Sequence, residues 1–374
     1  MSLKTSMNKI GAKNIRVELL SEEKIKEIPL FPTALPILNI ALSGDVDGGL
    51  SHGLSVVAGP SKHFKSLLGL VLVKAYIDFY KAKFNDNVFC VYYDTEGGVT
   101  DNYIESVGID PAQIYKISDI THIEQLKFDI VARLKECEPK TEKVIFFIDS
   151  IGNLASNKEV EDAENEKIVA DMTRAKAIKS LFRLITPILM SKQIPCVAIN
   201  HTYATMELYS RQQMSGGSGI LYAANQVLLI GKSQEKEEKE LIGNLFTINI
   251  EKSRFVKEKS KFTFTARFNG GIDHFAGLFE LLNEQMDLIK NPKTGWYSRV
   301  KCSTGEVEEK LWRKKDTNTA EFWNWFLKDE AFKELVKKKY QLGYGSDLFS
   351  QEFESDYESD DFEPSVGAVN LEKI

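Results

Sequence analysis

The chain has 374 residues, of which 43% are hydrophobic and 27% are charged, as in a soluble globular protein with one large and one small domain. No apolar run approaches the length of a membrane-spanning helix and the first residues lack the apolar core of a secretion signal, so we expect a cytoplasmic protein with no membrane partner. The four cysteines are scattered without a paired-cysteine motif, which fits a reducing compartment.

The net charge of −6 is distributed unevenly along the chain. From Ser346 onward nine acidic residues face only Lys373, so this end carries −8 and residues 1–345 sum to about +2. Such a block of like charge repels itself, and we predict that residues 346–374 form an acidic, disordered tail. The tail either keeps the chain soluble, competes with nucleic acid for the basic surface of the body, or recruits a partner.

The apolar pattern predicts an α/β fold. Residues 1–30 are polar, and the chain is then broken by Pro29, Pro32 and Pro36. Near-continuous apolar runs, typical of parallel strands buried on both faces, then alternate with helical spacing. The predicted strands are 54–58, 88–93, 144–148, 196–199, 226–231, 244–250 and 261–268, and the predicted helices begin at 67 or span 123–135 and 168–190. The charge run 232–240 is predicted to be a solvated hairpin turn, and lysine- and aromatic-rich helices are predicted from about 276 to 344.

The segment from Leu54 to Ser66 predicts a phosphate-binding turn. A buried strand ends at Gly59, and Lys65 and Ser66 follow at the spacing of G-x-x-x-x-G-K-[ST], where a helix opens. In this pattern Lys65 reaches the β- and γ-phosphates and the Ser66 hydroxyl binds Mg²⁺. Phe64 replaces the second glycine, so we expect it to adopt a conformation that glycine tolerates better. The alternative is an ordinary strand–helix junction. The candidate contacts are Gly59, Pro60, Ser61, Lys62, His63, Phe64, Lys65 and Ser66.

Four further side chains follow predicted strands or lie close to one. Asp149 ends the strand 144–148, where a carboxylate either binds the metal or caps a helix. Glu96 follows the strand 88–93 and either activates water or caps a turn. Tyr103 either stacks on a base or packs in the core. His201 ends the strand 196–199 and either contacts the γ-phosphate or acts as a cap.

The chain resembles the RecA family of strand-exchange recombinases, in particular its bacteriophage branch, over about residues 30–345. The residues that carry the resemblance are Leu38–Gly44, Gly59–Ser66, Phe146–Ala155, Asp171–Lys176, Ile199–Tyr203, Glu251–Arg254 and Gly295–Tyr297. It implies a RecA-type P-loop ATPase core in which helices flank a mostly parallel sheet. The implied domains are an oligomerisation segment at 1–35, the core at 36–275, a small α+β domain at 276–345 and the tail at 346–374.

The resemblance also implies roles for site residues. Lys65, Ser66 and Asp149 would hold ATP and Mg²⁺, Glu96 would act on the attacking water, and Tyr103 would contact the adenine. His201 stands where relatives carry a glutamine that senses the γ-phosphate. Lys252 and Arg254 look like the pair that reaches across a subunit interface to a neighbour's phosphates, which would make catalysis depend on assembly.

Two loops of the resembling family line the filament axis and contact single-stranded DNA. Here the second spans 202–219 and contains Arg211, Gly216 and Gly217. The first, about 156–171, carries acidic side chains that should repel phosphates, namely Glu159, Glu161, Asp162, Glu164 and Glu166. We therefore expect the helix after it to make the DNA backbone contacts through Arg174, Lys176 and Arg183.

These observations predict a DNA-dependent ATPase that forms helical filaments on single-stranded DNA, pairs it with homologous duplex DNA and exchanges strands in recombination, repair and replication. Its expected partners are the two DNAs, further copies of itself, and single-strand-binding and mediator proteins, in the host cytoplasm if a phage encodes it. The alternatives are a ring-forming helicase with the same core and a regulatory ATPase that does not act on DNA.

Overall fold

The computed structural model describes residues 29–84, 87–165, 173–204, 212–237 and 240–344. The centre of this part of the chain is a ten-stranded sheet. Its strands are β1 (Gly53–Gly59), β2 (Val88–Asp94), β3 (Ile114–Ile117), β4 (Lys143–Asp149), β5 (Pro195–Ala204), β6 (Gln212–Met214), β7 (Gln226–Glu237), β8 (Glu240–Ser253), β9 (Lys261–Arg267) and β10 (Gly271–Ile272).

The strand order is β10-β9-β8-β7-β1-β5-β4-β2-β3, with β6 paired to β5. The neighbours from β7 to β3 run parallel, whereas β8, β9 and β10 extend the sheet in antiparallel fashion. Every residue of β1 is buried, as expected for a strand covered on both faces. The predicted α/β class with a mostly parallel sheet is confirmed.

Helices cover both faces of the sheet, and none in the described ranges is long and apolar enough to cross a membrane. Phe147 packs in the cluster on the side of Leu68, whereas Phe146 packs in the opposite cluster with Leu181, because successive side chains of a strand point to opposite faces. The helices are α1 (Pro36–Ser43), α2 (Lys65–Phe84), α3 (Asp101–Ser106), α4 (Ile123–Glu136), α5 (Asn157–Glu164), α6 (Thr173–Lys192), α7 (Gly219–Ala223), α8 (Leu278–Glu280), α9 (Ala320–Leu327) and α10 (Glu330–Tyr340).

The predicted hairpin turn at 232–240 is wrong in its extent. Residues 232–237 belong to β7 and pair with β8, so that only 238–239 lie between the two strands. Backbone hydrogen bonds hold the end of β7 to the start of β8. Charged side chains are compatible with this pairing because they are largely exposed there. The charge run therefore marks a solvated pair of strands.

The C-terminal region contains strands that the periodicity missed. A three-stranded antiparallel sheet of β11 (Ile289–Lys293), β12 (Trp296–Arg299) and β13 (Trp312–Arg313) precedes α9 and α10. Aromatic residues of this sheet and of α9 form a small core, in which Phe322 packs against Trp312 and Trp323. The buried Arg299 pairs with Glu308 and lies over the Trp312 ring. The short strands were missed because their apolar residues are few and separated by turns.

Candidate active site

The register of the parallel strands brings the candidate site residues to one edge of the sheet. Gly59 at the end of β1 pairs with His201 of β5, and Asp94 at the end of β2 pairs with Asp149 of β4. This is the carboxyl edge of the parallel strands, where ligands bind in open α/β sheets. Strand pairing alone therefore places these polar side chains beside the turn that follows β1.

A cavity of about 200 Å³ lies at this edge. It collects the phosphate turn, the carboxylates Glu96 and Asp149, and the rings of Tyr103 and His201, all of which were singled out in the sequence. Its complete lining is Ser61, Lys62, His63, Phe64, Lys65, Ser66, Leu67, Glu96, Tyr103, Asp149, Ile199 and His201. Residues separated by up to 140 positions in the sequence thus share one concave surface.

Lys65 is the first residue of α2 and is only 6% exposed. Its ammonium group donates a hydrogen bond to the Pro60 carbonyl at 2.8 Å, so the side chain folds back over its own turn. Burial lowers the pKa of Lys65, while the nearby carboxylates of Glu96 and Asp149 act in the opposite direction. The turn therefore holds a cation inside the cavity, at the start of a helix.

The turn contains two non-glycine residues in the left-handed region, Lys62 with φ 61° and Phe64 with φ 64°. Such a backbone costs a non-glycine residue about 1–2 kcal/mol. The expectation for Phe64 is confirmed, and its ring packs against Phe246, with a centroid distance of 4.8 Å. Aromatic packing of this kind offsets part of the backbone strain.

Asp149 and Ser66 form the candidate metal-binding pair. Asp149 is 3% exposed, and burial raises its pKa to about 6, although a hydrogen bond with the Ser66 side chain acts against this rise. One carboxylate oxygen, Oδ1, is buried without a hydrogen-bond partner. A hydroxyl beside an unsatisfied carboxylate oxygen fits Mg²⁺, which binds through few protein ligands together with substrate phosphates. Accordingly, the described residues contain no cluster of three or more His, Cys, Asp or Glu side chains arranged for a metal.

The pKa of Asp149 predicts a gain in stability for Asp149→Asn in the nucleotide-free protein. The folded-state pKa is raised from 3.8 to about 6, so stability falls as the pH rises from about 4 to about 6, and the full cost of ionising this carboxyl is present above pH 6. At pH 7 we expect the free energy of unfolding of the variant to be higher by about 1–3 kcal/mol. The gain should shrink as the pH falls from 6 toward 4, because the wild-type carboxyl becomes protonated in the folded state.

Denaturant unfolding at pH 7, 6, 5 and 4 measures this difference, with the exposed Asp101→Asn as the matched control. An Asp149→Asn protein less stable than the wild type at pH 7 would contradict the prediction. The same substitution should weaken binding of a magnesium nucleotide, because it removes the charge that the metal requires.

Glu96 and His201 are in direct contact. His201 Nε2 lies 2.8 Å from Glu96 Oε1, and Ser150 Oγ donates to the same oxygen at 2.5 Å. The hydrogen bond from His201 is the main cause of a lowered pKa of Glu96, so the group is ionised at neutral pH. Gly152 lies so close to the His201 ring that a Cβ there would approach Cδ2 to 2.4 Å. The histidine is thus confined on one side and bonded on the other.

Two residues of this site were missed in the sequence. Thr95 accepts a hydrogen bond from the Ser150 backbone N–H at 2.9 Å and donates to the Ser150 carbonyl at 2.7 Å. These bonds fix the end of β2 to the end of β4 and so position Glu96. In the sequence, the only signal for Thr95 and Ser150 was that they stand next to Glu96 and Asp149.

Tyr103 lies in α3, whose N-cap is Thr100. It is half-buried and lines the cavity, but its contact with an adenine remains a prediction.

Lys252 and Arg254 lie outside the lining of this cavity. Lys252 donates hydrogen bonds to the carbonyls of Leu221 and Tyr222 in α7, at 2.7 and 3.0 Å. The pairing of β8 with β9 ends at Asn249, before Lys252, and the exposed Arg254 follows the end of β8. Without the resemblance, solvated charges at a strand edge therefore stay the alternative interpretation of this pair. Their action on a neighbour's phosphates remains a prediction.

The structure separates the candidate DNA-contacting residues into two groups. Arg174 bonds to the carbonyls of Ile151, Gly152 and Leu154 and to the Ser215 hydroxyl, so its guanidinium joins the two loop regions internally. Lys176 and Arg183, in contrast, are exposed on α6.

The exposed residue Lys179 lies on the same side of α6 as Lys176 and Arg183, because residues spaced by three and four are neighbours on a helix. Lys179 was not predicted as a DNA contact, although its spacing from Lys176 and Arg183 is visible in the sequence. Gly216 and Gly217 have φ values of 84° and 76°, which require glycine. Arg211 lies outside the described residues.

Comparison with known proteins relates the chain to a phage recombination protein. Residues 275–336 match the family model of the C-terminal domain of the bacteriophage T4 recombination and repair protein. The recombination and repair protein of Enterobacteria phage T4 is 46% identical over 345 residues, which cover 91% of this chain and 86% of the relative.

Proposed function

Since this chain belongs to the family of the bacteriophage T4 recombination and repair protein UvsX, we propose that it is an ATP-dependent recombinase that assembles on single-stranded DNA. The phage relationship predicted from the motifs is confirmed by this match. In the proposed reaction, filaments of the protein pair the bound strand with homologous duplex DNA and exchange strands. Base pairing reads the sequence, while contacts to the DNA backbone supply the affinity.

The contact between Glu96 and His201 carries the proposal. Glu96 would accept the proton of a water that attacks the γ-phosphate, and its partner His201 lies on the strand that leads into the candidate DNA loop. The far side of that loop returns to the same point, where the Ser215 N–H donates to the His201 carbonyl at 2.9 Å. A change at the γ-phosphate would therefore reach both ends of the loop through a few hydrogen bonds.

Other residues of the cavity have roles in this reaction. Lys65 would neutralise the β- and γ-phosphates, and the backbone N–H groups of the turn would bind their oxygens. Ser66 and Asp149 would hold Mg²⁺, which offsets phosphate charge when it is bound. The residues that touch ATP thus supply binding and charge, and Glu96 supplies the base.

The cavity is small for a complete nucleotide site. Its volume of about 200 Å³ lies below the roughly 300–1,000 Å³ that ligand pockets usually have, so it accommodates the polyphosphate better than a whole nucleotide. A neighbouring subunit would then complete the site through Lys252 and Arg254. Assembly on DNA would complete the ATPase, and ATP would in turn favour assembly.

The exposed row of Lys176, Lys179 and Arg183 supports a contact with the DNA backbone. Binding through such a row releases counterions and becomes weaker as salt rises.

Single-strand-binding and mediator proteins are proposed as further partners. The proposed place of action is the cytoplasm of an infected host cell.

ATP turnover with and without single-stranded DNA tests the proposal, together with strand exchange between homologous DNAs. We expect DNA to stimulate turnover, and Lys65→Ala to reduce turnover and strand exchange at least about 100-fold. Lys81→Ala, an exposed lysine of α2, is the matched control and should behave as the wild type. Turnover indifferent to DNA would indicate a regulatory ATPase, and closed rings in electron micrographs would indicate a helicase.

A further inference from the structure

A transverse row of three side chains crosses the antiparallel part of the sheet beside the phosphate turn. Lys232 of β7 pairs with Phe246 of β8, and Phe246 pairs with Phe264 of β9. Residues directly opposite each other on neighbouring strands lie on the same face of a sheet. The three side chains therefore form one row.

This row contacts the turn at two points. The Lys232 ammonium group donates a hydrogen bond to the Lys62 carbonyl at 3.0 Å. The Phe64 ring lies over Phe246, with centroids 4.8 Å apart, and its centroid is 6.4 Å from that of Phe264.

The two rings of the row also support each other. Phe246 and Phe264 stack at 5.6 Å, and each is 2% exposed.

The contacted residues are the two strained positions of the turn. Lys62 and Phe64 both have a left-handed backbone, which glycine adopts without strain and other residues do not. A turn with non-glycine residues at these positions needs contacts that hold them there. The row provides a hydrogen bond at the first position and aromatic packing at the second.

We propose that Lys232, Phe246 and Phe264 form a brace that holds the phosphate turn in its nucleotide-binding conformation before the nucleotide arrives. They are positioning residues, since none of them lines the cavity. A glycine at position 64 would adopt the left-handed backbone without strain. With Phe64 at this position, packing of its ring against the brace holds the same backbone conformation. This inference rests on the proposed nucleotide site.

Amide hydrogen exchange of residues 61–67 in the nucleotide-free protein tests the brace. We expect Phe246→Leu to accelerate this exchange about tenfold and to raise the Kd of a fluorescent ATP analogue by a similar factor. Phe262→Leu is the matched control, because Phe262 is equally buried on β9 but packs against Tyr340. Phe262→Leu should change neither the amide exchange of the turn nor the Kd of the ATP analogue. Lys232→Met, which keeps the aliphatic stem, should also accelerate the exchange.

A double-mutant cycle separates a brace from a general loss of stability. In a Phe64→Gly background the ring and the strain at position 64 are both absent, so adding Phe246→Leu, whose contact with the turn is to Phe64, should leave the exchange and the Kd unchanged. Equal acceleration by Phe246→Leu and Phe262→Leu, or an undiminished effect of Phe246→Leu in the Phe64→Gly background, would overturn the proposal. If the wild type does not bind the ATP analogue, the proposed function fails, while the exchange comparison still decides on the brace.

Discussion

Mixing equal amounts of two inactive variants, Lys65→Ala and Lys252→Ala, is expected to restore about a quarter of the wild-type ATP turnover on single-stranded DNA. In the proposed filament, each site combines the phosphate turn of one subunit with Lys252 of its neighbour. A site is intact when a Lys252→Ala subunit supplies the turn and a Lys65→Ala subunit supplies the lysine. Random assembly produces this order at about one site in four.

Each variant alone should lose turnover at least about 100-fold, because an essential charge is missing from every site. The measurement is steady-state ATP hydrolysis over a series of mixing ratios, with Lys65→Ala mixed with Lys81→Ala as the reference for simple dilution. Turnover that stays at baseline in the mixture would mean that Lys252 acts within its own subunit, whereas normal turnover of Lys252→Ala alone would mean that this lysine takes no part in hydrolysis.

Lys252 also bonds to carbonyls of α7, so its removal has a local structural effect. Electron micrographs of Lys252→Ala on DNA check that it still assembles. Arg254→Ala provides a second variant for the same mixing experiment, and its failure to complement Lys65→Ala would count against an interface role for this pair.

Glu96→Gln should reduce ATP turnover by about 10²- to 10⁴-fold and leave nucleotide binding nearly unchanged. The amide oxygen can still accept hydrogen bonds from His201 and Ser150, so the local geometry is kept. The amide cannot accept the proton of the attacking water. Because the hydrogen bond from His201 lowers the pKa of Glu96, the wild-type base should remain ionised as the pH falls below neutrality.

Single-turnover hydrolysis and equilibrium binding of a fluorescent ATP analogue separate the two effects. Glu105→Gln, an exposed glutamate in α3, is the matched control. A Glu96→Gln protein that hydrolyses ATP within tenfold of the wild-type rate would remove Glu96 from the base role. Loss of nucleotide binding in this variant would instead assign it to binding.

Some features were predictable from the sequence because they depend on neighbouring residues. The strand that ends at Gly59, the spacing to Lys65 and Ser66, and the apolar run before Asp149 are local patterns, and the structure contains each element close to its predicted bounds. Parallel strands align their carboxyl ends, so even the grouping of Glu96, Asp149 and His201 at one edge followed from strand type. The left-handed backbone of Phe64 was predictable from the glycine position that it occupies.

Other features depend on the register between distant strands and on which side chains reach across it. The row of Lys232, Phe246 and Phe264 arises from two antiparallel registers, and no local pattern connects it with the phosphate turn. The internal bonds of Arg174 depend on loop carbonyls more than 20 residues away. Local sequence thus determined the elements and the chemical groups of the site, whereas the tertiary structure decided which groups are in contact, since a shift of one residue in register moves every side chain of a strand to the opposite face.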